Sequence, residues 1–271
     1  MKNILITTDF SDNALDAAKF GIELGHKFHS KIHFLHVYSL PIVNSESPEM
    51  IDFSFYQQIK TEQLDKLING IDTKFLKTYN HCLPGFSLAT EINNFCNDNE
   101  IDLIIMGLTG ASKIDQLFLG GNTQHVLTSS KVPVLGIPKD FVFPREVKIG
   151  FAFDGKKIKQ TKNIEIFREI VKNINAFNVQ TKIHAVHVSE ENKIDEIYTD
   201  LKNIIPFDEF DLQIEINSHV NDGILEFIAN NHIDLLAIIP RKHSFFDRLF
   251  HESYSKAIAN YSAIPILTLP E

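Results

Sequence analysis

Hydrophobic positions in this chain fall into two alternating textures. The first is a set of short, nearly continuous apolar runs rich in β-branched residues, such as ILITT, KIHFLHV, IDLIIM and VPVLGI. The second is longer and amphipathic. SDNALDAAKFGIELGHKF opens with a Ser-Asp start and places Ala14, Ala17, Ala18, Ile22 and Leu24 near a 3.6-residue period. Runs of the first kind predict strands near 3–8, 31–37, 74–80, 101–106 and 133–136, with helices near 11–29, 50–70, 87–99 and 121–130 between them. Continuous rather than alternating apolar strands imply a sheet covered on both faces, and their alternation with helices implies parallel strands.

The pattern then repeats. KIHFLHV (31–37) returns as KIHAVHV (182–188), IDLIIMG (101–107) as IDLLAII (233–239), KVPVLGI (131–137) as AIPILTL (263–269), and ILITTDF (4–10) as IGFAFDG (149–155). The order is the same in both halves, which marks a tandem duplication. Second-half strands are expected near 148–153, 181–188, 211–217, 234–239 and 265–268. The predicted fold is α/β: two tandem doubly wound, Rossmann-like domains over residues 1–143 and 144–271, each a five-stranded parallel sheet with helices on both faces. The second-strand copies stand 151 residues apart but the later pairs 132, so the first half holds about 19 extra residues, placed at YSLPIVNSESPEMIDFSFYQQ (38–58). That stretch reads either as a long connection whose Phe53, Phe55 and Tyr56 join the core, or as a lid beside a pocket.

Composition narrows the function classes. A chain of 271 residues with 44% hydrophobic and 23% charged residues suits two soluble domains of ordinary size. A net charge of -9 argues against a general binder of nucleic acid or anionic membranes. Cys82 and Cys96 form no CxxC pair and no zinc spacing, so they read as thiols in a reducing compartment. The apolar start before Asp9 is too short for a signal peptide, and no run approaches a membrane span, so a cytoplasmic location is expected.

Glycine is the residue whose placement points to chemistry. Only 12 occur, yet Gly107, Gly110, Gly120 and Gly121 crowd one 15-residue window, GLTGASKIDQLFLGG, directly after a strand. Ligands of open parallel sheets bind at the carboxyl ends of the strands. Gly120-Gly121-Asn122-Thr123 opens the next helix with cap-forming residues, whose free N–H groups and dipole favour an anion such as a phosphate chain. A Walker A loop is excluded because Asn122 follows Gly121, and no G-x-G-x-x-G fingerprint is present.

The spacing resembles that of the universal stress protein family, whose nucleotide-binding members carry G-x2-G-x9-G-(S/T). Gly107, Gly110 and Gly120 match the glycines, and Gly121 departs from the hydroxyl position. TTDFS (7–11), HV (36–37), PGFSLATEI (84–92) and VPVL (132–135) are similar to the family's other segments, so the resemblance covers the chain as two copies. It implies ATP, ADP or AMP as ligand, with Mg2+ beside a triphosphate. Thr7, Thr8 and Asp9 would meet the base and ribose, Val37 the adenine, Gly107 and Gly110 the ribose and phosphates, and Gly120, Gly121 and Asn122 the phosphates. Losing the hydroxyl at 121 removes one hydrogen bond, roughly 0.5–1.5 kcal/mol, which weakens binding without abolishing it. The family's edge strands pair between domains, which here implies a pseudo-dimer within one chain, with a further homodimer and an unidentified protein partner left open.

The second copy has lost this loop. Aligned through the repeats, Gly107, Gly110, Gly120 and Gly121 become Ile239, Lys242, Glu252 and Ser253, although Asp154 survives opposite Asp9. A carboxylate at 252 would repel phosphates, so one site per chain is expected, in the first half. Pro133 and Pro265 mark the fifth strand of each copy as an edge. His26, His29, His33 and His36 read as helix-end and solvated histidines, with the strand pair on opposite faces, and Ser129 and Ser130 as structural. No catalytic signature appears. Asp9 could polarise a water, but slow ATP hydrolysis has no strong support in the residues, and a scaffold that binds no nucleotide is the main rival reading.

Overall fold

A computed structural model of the chain describes residues 1–39, 53–109, 121–142, 144, 146–153, 161–175, 180–188, 210–215, 220–240 and 264–270. The first half runs β1 (Asn3–Thr7), α1 (Asp12–Phe28), β2 (Lys31–Tyr38), α2 (Phe53–Asn69), β3 (Thr78–Pro84), α3 (Leu88–Asn99), β4 (Leu103–Gly107), α4 (Gly121–Ser129) and β5 (Val134–Ile137). The second runs β6 (Glu146–Phe153), α5 (Thr161–Asn175), β7 (Gln180–Val188), β8 (Phe210–Glu215), α6 (Val220–Asn231), β9 (Leu235–Ile238) and β10 (Ile266–Thr268).

The ten strands among the described residues form one sheet in the order β3-β2-β1-β4-β5-β10-β9-β6-β7-β8. Pairing within each half is parallel, as the unbroken apolar runs require. β5 and β10 join antiparallel, with Leu135 opposite Leu267 at the centre of the seam. The edges that Pro133 and Pro265 precede in each half are therefore internal to the whole sheet. Its free edges are β3 and β8.

Two apolar layers cover the sheet, and both continue across the seam. One gathers side chains from α1, α2 and α5, including Ile4, Ile6, Phe34, Leu64, Phe151, Phe167 and Leu267. The other gathers α3, α4 and α6, including Leu5, Leu35, Phe95, Val126, Phe227 and Leu236. α1 starts where Ser11 accepts the Ala14 N–H at 3.2 Å and ends where His29 turns left-handed at φ 52°.

Three expectations need correction. The third strand lies four residues later than 74–80, because Asp72 accepts the Lys74 N–H and Leu76 bonds back to Thr73, making a turn through left-handed Phe75. Phe53 and Phe55 do not enter the core: they are 51% and 60% exposed, while the helical period turns Tyr56 and Leu64 inward. Residues 40–52 of the long connection lie outside the described residues. His33 and His36 are buried rather than solvated, because β2 sits inside a sheet covered on both faces.

Candidate nucleotide site at the β1 and β4 strand ends

The chain moves outward from β1 to β2 and β3, then returns to the other side of β1 with β4 and β5. This reversal makes the carboxyl ends of β1 and β4 a topological switch point, the position at which doubly wound sheets take ligands. Thr7 and Thr8 close β1 and are buried. The Thr8 N–H bonds the Leu35 carbonyl at 3.0 Å, and the Thr8 hydroxyl accepts the Phe10 N–H at 3.0 Å. Asp9 is exposed and accepts the Ser11 N–H at 3.0 Å through Oδ1, which fixes the turn into α1. Phe10 takes a left-handed backbone, φ 67°, a conformation uncommon outside glycine.

His36 holds this corner from β2. Its Nδ1 lies 2.8 Å from the Thr8 carbonyl, and because a carbonyl only accepts, Nδ1 carries the proton. Its ring packs 4.3 Å from that of Phe10. Burial pushes its pKa below the ordinary value, partly offset by the Thr8 bond. Nε2 is buried with no hydrogen-bond partner among the described residues. Val37 follows, two residues past the last β1–β2 pair, Thr7 with Leu35, so its backbone lies beyond the end of β1.

The glycine window begins at the next strand end. A Cβ at Gly107 would lie 2.7 Å from Asn13 Oδ1 and 3.1 Å from the Asn13 backbone carbon, so glycine is what lets α1 approach β4 this closely. Asn13 Oδ1 accepts the Thr109 N–H at 2.9 Å and its hydroxyl at 3.1 Å, while Nδ2 donates to the Ile137 carbonyl at 2.9 Å. From the far side, the Thr123 hydroxyl donates to the Gly107 carbonyl at 3.3 Å. Gly121 and Asn122 are exposed in the first turn of α4. A Cβ at Gly121 would meet nothing within 4 Å among the described residues. Gly110 and Gly120 lie outside the described residues.

Thr7, Thr8, Asp9 and Val37 thus lie at the ends of the adjacent strands β1 and β2, and Gly107 ends β4 on the other side of β1. Asn13, Thr109, Thr123 and the anchoring role of His36 were not read from the sequence. A polar Asn among the alanines that face the core was the available signal for the first. Among the described residues no three His, Cys, Asp or Glu side chains gather as a metal site.

A family model described as the universal stress protein family matches residues 1–138. The chain belongs to the universal stress protein family. A universal stress protein of Methanocaldococcus jannaschii is 29% identical over 141 residues, spanning 51% of this chain and 82% of that relative. One from Synechocystis is 25% identical over 295 residues, spanning 99% of both chains, so the tandem arrangement is shared at full length. The solved universal stress protein of Archaeoglobus fulgidus superposes with TM-score 0.71 at 21% identity, covering 99% of this chain and 96% of that one, which establishes the two-domain fold.

In the second half, Ile239 stands where the repeats align Gly107, and it is buried in the apolar layer beneath the strand ends. The strand end that takes the Asn13 side chain in one copy carries an apolar side chain of its own in the other. Asp154, Lys242, Glu252 and Ser253 lie outside the described residues. No helix among the described residues is long and apolar enough to cross a membrane.

Proposed function

We propose that this universal stress protein binds one adenine nucleotide, ATP or its diphosphate or monophosphate, at the strand ends of residues 1–143, and that nucleotide occupancy controls its interaction with a protein partner in a stress response. The observation that carries the reading is the close approach of α1 to Gly107 beside an uncrowded α4 N-terminus at Gly121. Free N–H groups at that helix end, with their dipole, suit a phosphate chain. Thr7, Thr8, Asp9 and Val37 would take the base and ribose, Gly107 and Gly110 the ribose and phosphates, and Gly120, Gly121 and Asn122 the phosphates. Magnesium would be held chiefly by phosphate oxygens and water, the usual mode for this ion, because the described residues supply no carboxylate cluster.

Residues 144–271 would serve as a partner domain without a nucleotide of its own, since Ile239 fills the equivalent strand end. The output needs no turnover. Titrating ATP and magnesium into the intact chain by calorimetry tests the reading, with Gly120→Glu as control. Binding near one per chain, lost in the variant, is the expected result. No heat and no shift in melting temperature would instead favour a scaffold that acts through protein partners alone.

A further inference from the structure

We propose that Asn13 is the positioning residue of the phosphate loop: its carboxamide sets where the chain leaves β4, so affinity for the phosphate end of a nucleotide depends on it while affinity for the nucleoside end does not. The inference rests on the nucleotide reading above. Asn13 is 3% exposed in the first turn of α1, and a buried carboxamide is tolerated only when its polar atoms are bonded. All three of its hydrogen bonds are long-range, joining the start of α1 to the exit of β4 and the end of β5.

Its orientation follows from its partners. A backbone N–H only donates, so Thr109 fixes which side is oxygen; a carbonyl only accepts, so Ile137 fixes which side is nitrogen. Gly107 is the last residue of β4 in register, with Ile137, and the Leu108 N–H still bonds the Ile137 carbonyl at 2.9 Å, so it is at Thr109, immediately before Gly110, that the Asn13 side chain takes over from strand pairing. Thr123, bonded to the Gly107 carbonyl, fixes the returning end. None of the three Asn13 bonds reaches Thr7, Thr8, Asp9 or Val37.

The second half isolates one duty of the carboxamide. Asn163, near the start of α5, is also buried and donates Nδ2 to the carbonyl of Pro270, just past β10. Donation to the end of the last strand therefore occurs in both copies, with or without the glycines, and holds the helix on the sheet. The acceptor side of Asn13 receives both donors of Thr109; Arg241, aligned with Thr109 through the repeats, lies outside the described residues.

Calorimetric titration of ATP with magnesium and of adenosine, together with melting temperatures, on the full chain and on Asn13→Ala, Thr109→Val and Asn163→Ala, tests the proposal. Asn13→Ala is expected to weaken ATP about tenfold or more and adenosine by less than about twofold, the size of losing hydrogen bonds at an ordered loop. Thr109→Val, which keeps the N–H and loses the hydroxyl, should weaken ATP alone by about two- to threefold. Asn163→Ala should lower the melting temperature and leave both affinities unchanged. Equal losses for ATP and adenosine, unchanged ATP binding, or an equal ATP loss in Asn163→Ala would overturn the positioning role while leaving nucleotide binding intact. If Asn13→Ala does not fold, the ATP-to-adenosine split in Thr109→Val decides. Absence of binding to the unaltered chain would overturn the nucleotide reading, and this inference with it.

Discussion

The two halves of this molecule share a frame and differ at one strand end. Each has the same strand order, each packs its first helix against the last strand with a buried asparagine, and both contribute to the same two apolar layers. At the end of the fourth strand of each copy, however, Gly107 has no side chain and Asn13 packs against its backbone, whereas Ile239 places a buried apolar side chain at the equivalent position. Under the proposed function, a duplicated domain keeps its packing while abandoning its ligand chemistry, because the apolar strand residues that build the sheet are not the ones assigned to the ligand.

The strongest way to break this comparison is to show that the halves do not share a core. Phe151 in β6 is fully buried, 5.4 Å from Phe167, in the layer that continues through Leu267 and Leu135 into the first half. Phe151→Ala is expected to cost about 3–5 kcal/mol, as large truncations in packed cores do. Because the layer and the β5–β10 seam are continuous, scanning calorimetry should show one transition moved as a whole. Two transitions, with only the second-half one displaced, would mean that the copies are stable independently.

A smaller effect distinguishes the halves by pH. In the first, His33 Nδ1 faces His81 Nε2 at 3.3 Å, stacked with Tyr79 and edge-on to Phe95. Burial, followed by the neighbouring His81 and Lys31 charges, lowers the His33 pKa to about 4, and burial lowers that of His81 as well. Above pH 6.5 both folded and unfolded chains hold these rings neutral. As the pH falls from 6.5 towards 4, the unfolded chain binds the protons first, so stability declines, by at most about 3 kcal/mol for His33, and levels off below that window. The corresponding His184 of β7 lies in register with Asp211, an acid where β3 offers Tyr79. His33→Asn should therefore shrink the loss of melting temperature between pH 7 and pH 4.5; an unchanged loss would place the acid sensitivity elsewhere.

The strands were legible in the sequence because strands buried on both faces need continuous apolar runs, and these recur in both copies. β3 was the exception among the first-half strands: as a free edge it is mixed in character, TYNHCLP, and the apolar Phe75 and Leu76 before it belong to a turn. Gly107 stood out in the sequence through its spacing, but the packing that requires a glycine there, the close approach of Asn13, did not. Asn13 meets Thr109 and Ile137 across 96 and 124 residues, and no local pattern carries such a contact. His36 was misjudged for a related cause. Its partner is a backbone carbonyl, which leaves no mark in the sequence.

The smallest expected effect tests the proposed difference in ligand use between the copies. Gly121 departs from the family's hydroxyl position, yet a Cβ there would meet nothing within 4 Å among the described residues, whereas one at Gly107 would strike Asn13. The two glycines of one window thus have different meanings: one is required by packing and the other is not. Gly121→Ser should fold without strain, and serine also orders the start of a helix better than glycine, by up to about 1 kcal/mol. If the lost hydroxyl is what separates this loop from its relatives, restoring it adds one hydrogen bond to the phosphates, roughly 0.5–1.5 kcal/mol, or about two- to tenfold tighter ATP with adenosine unchanged. A higher melting temperature without tighter ATP would show that the position acts only on the helix, and that the phosphates are held by backbone N–H groups which glycine already supplies.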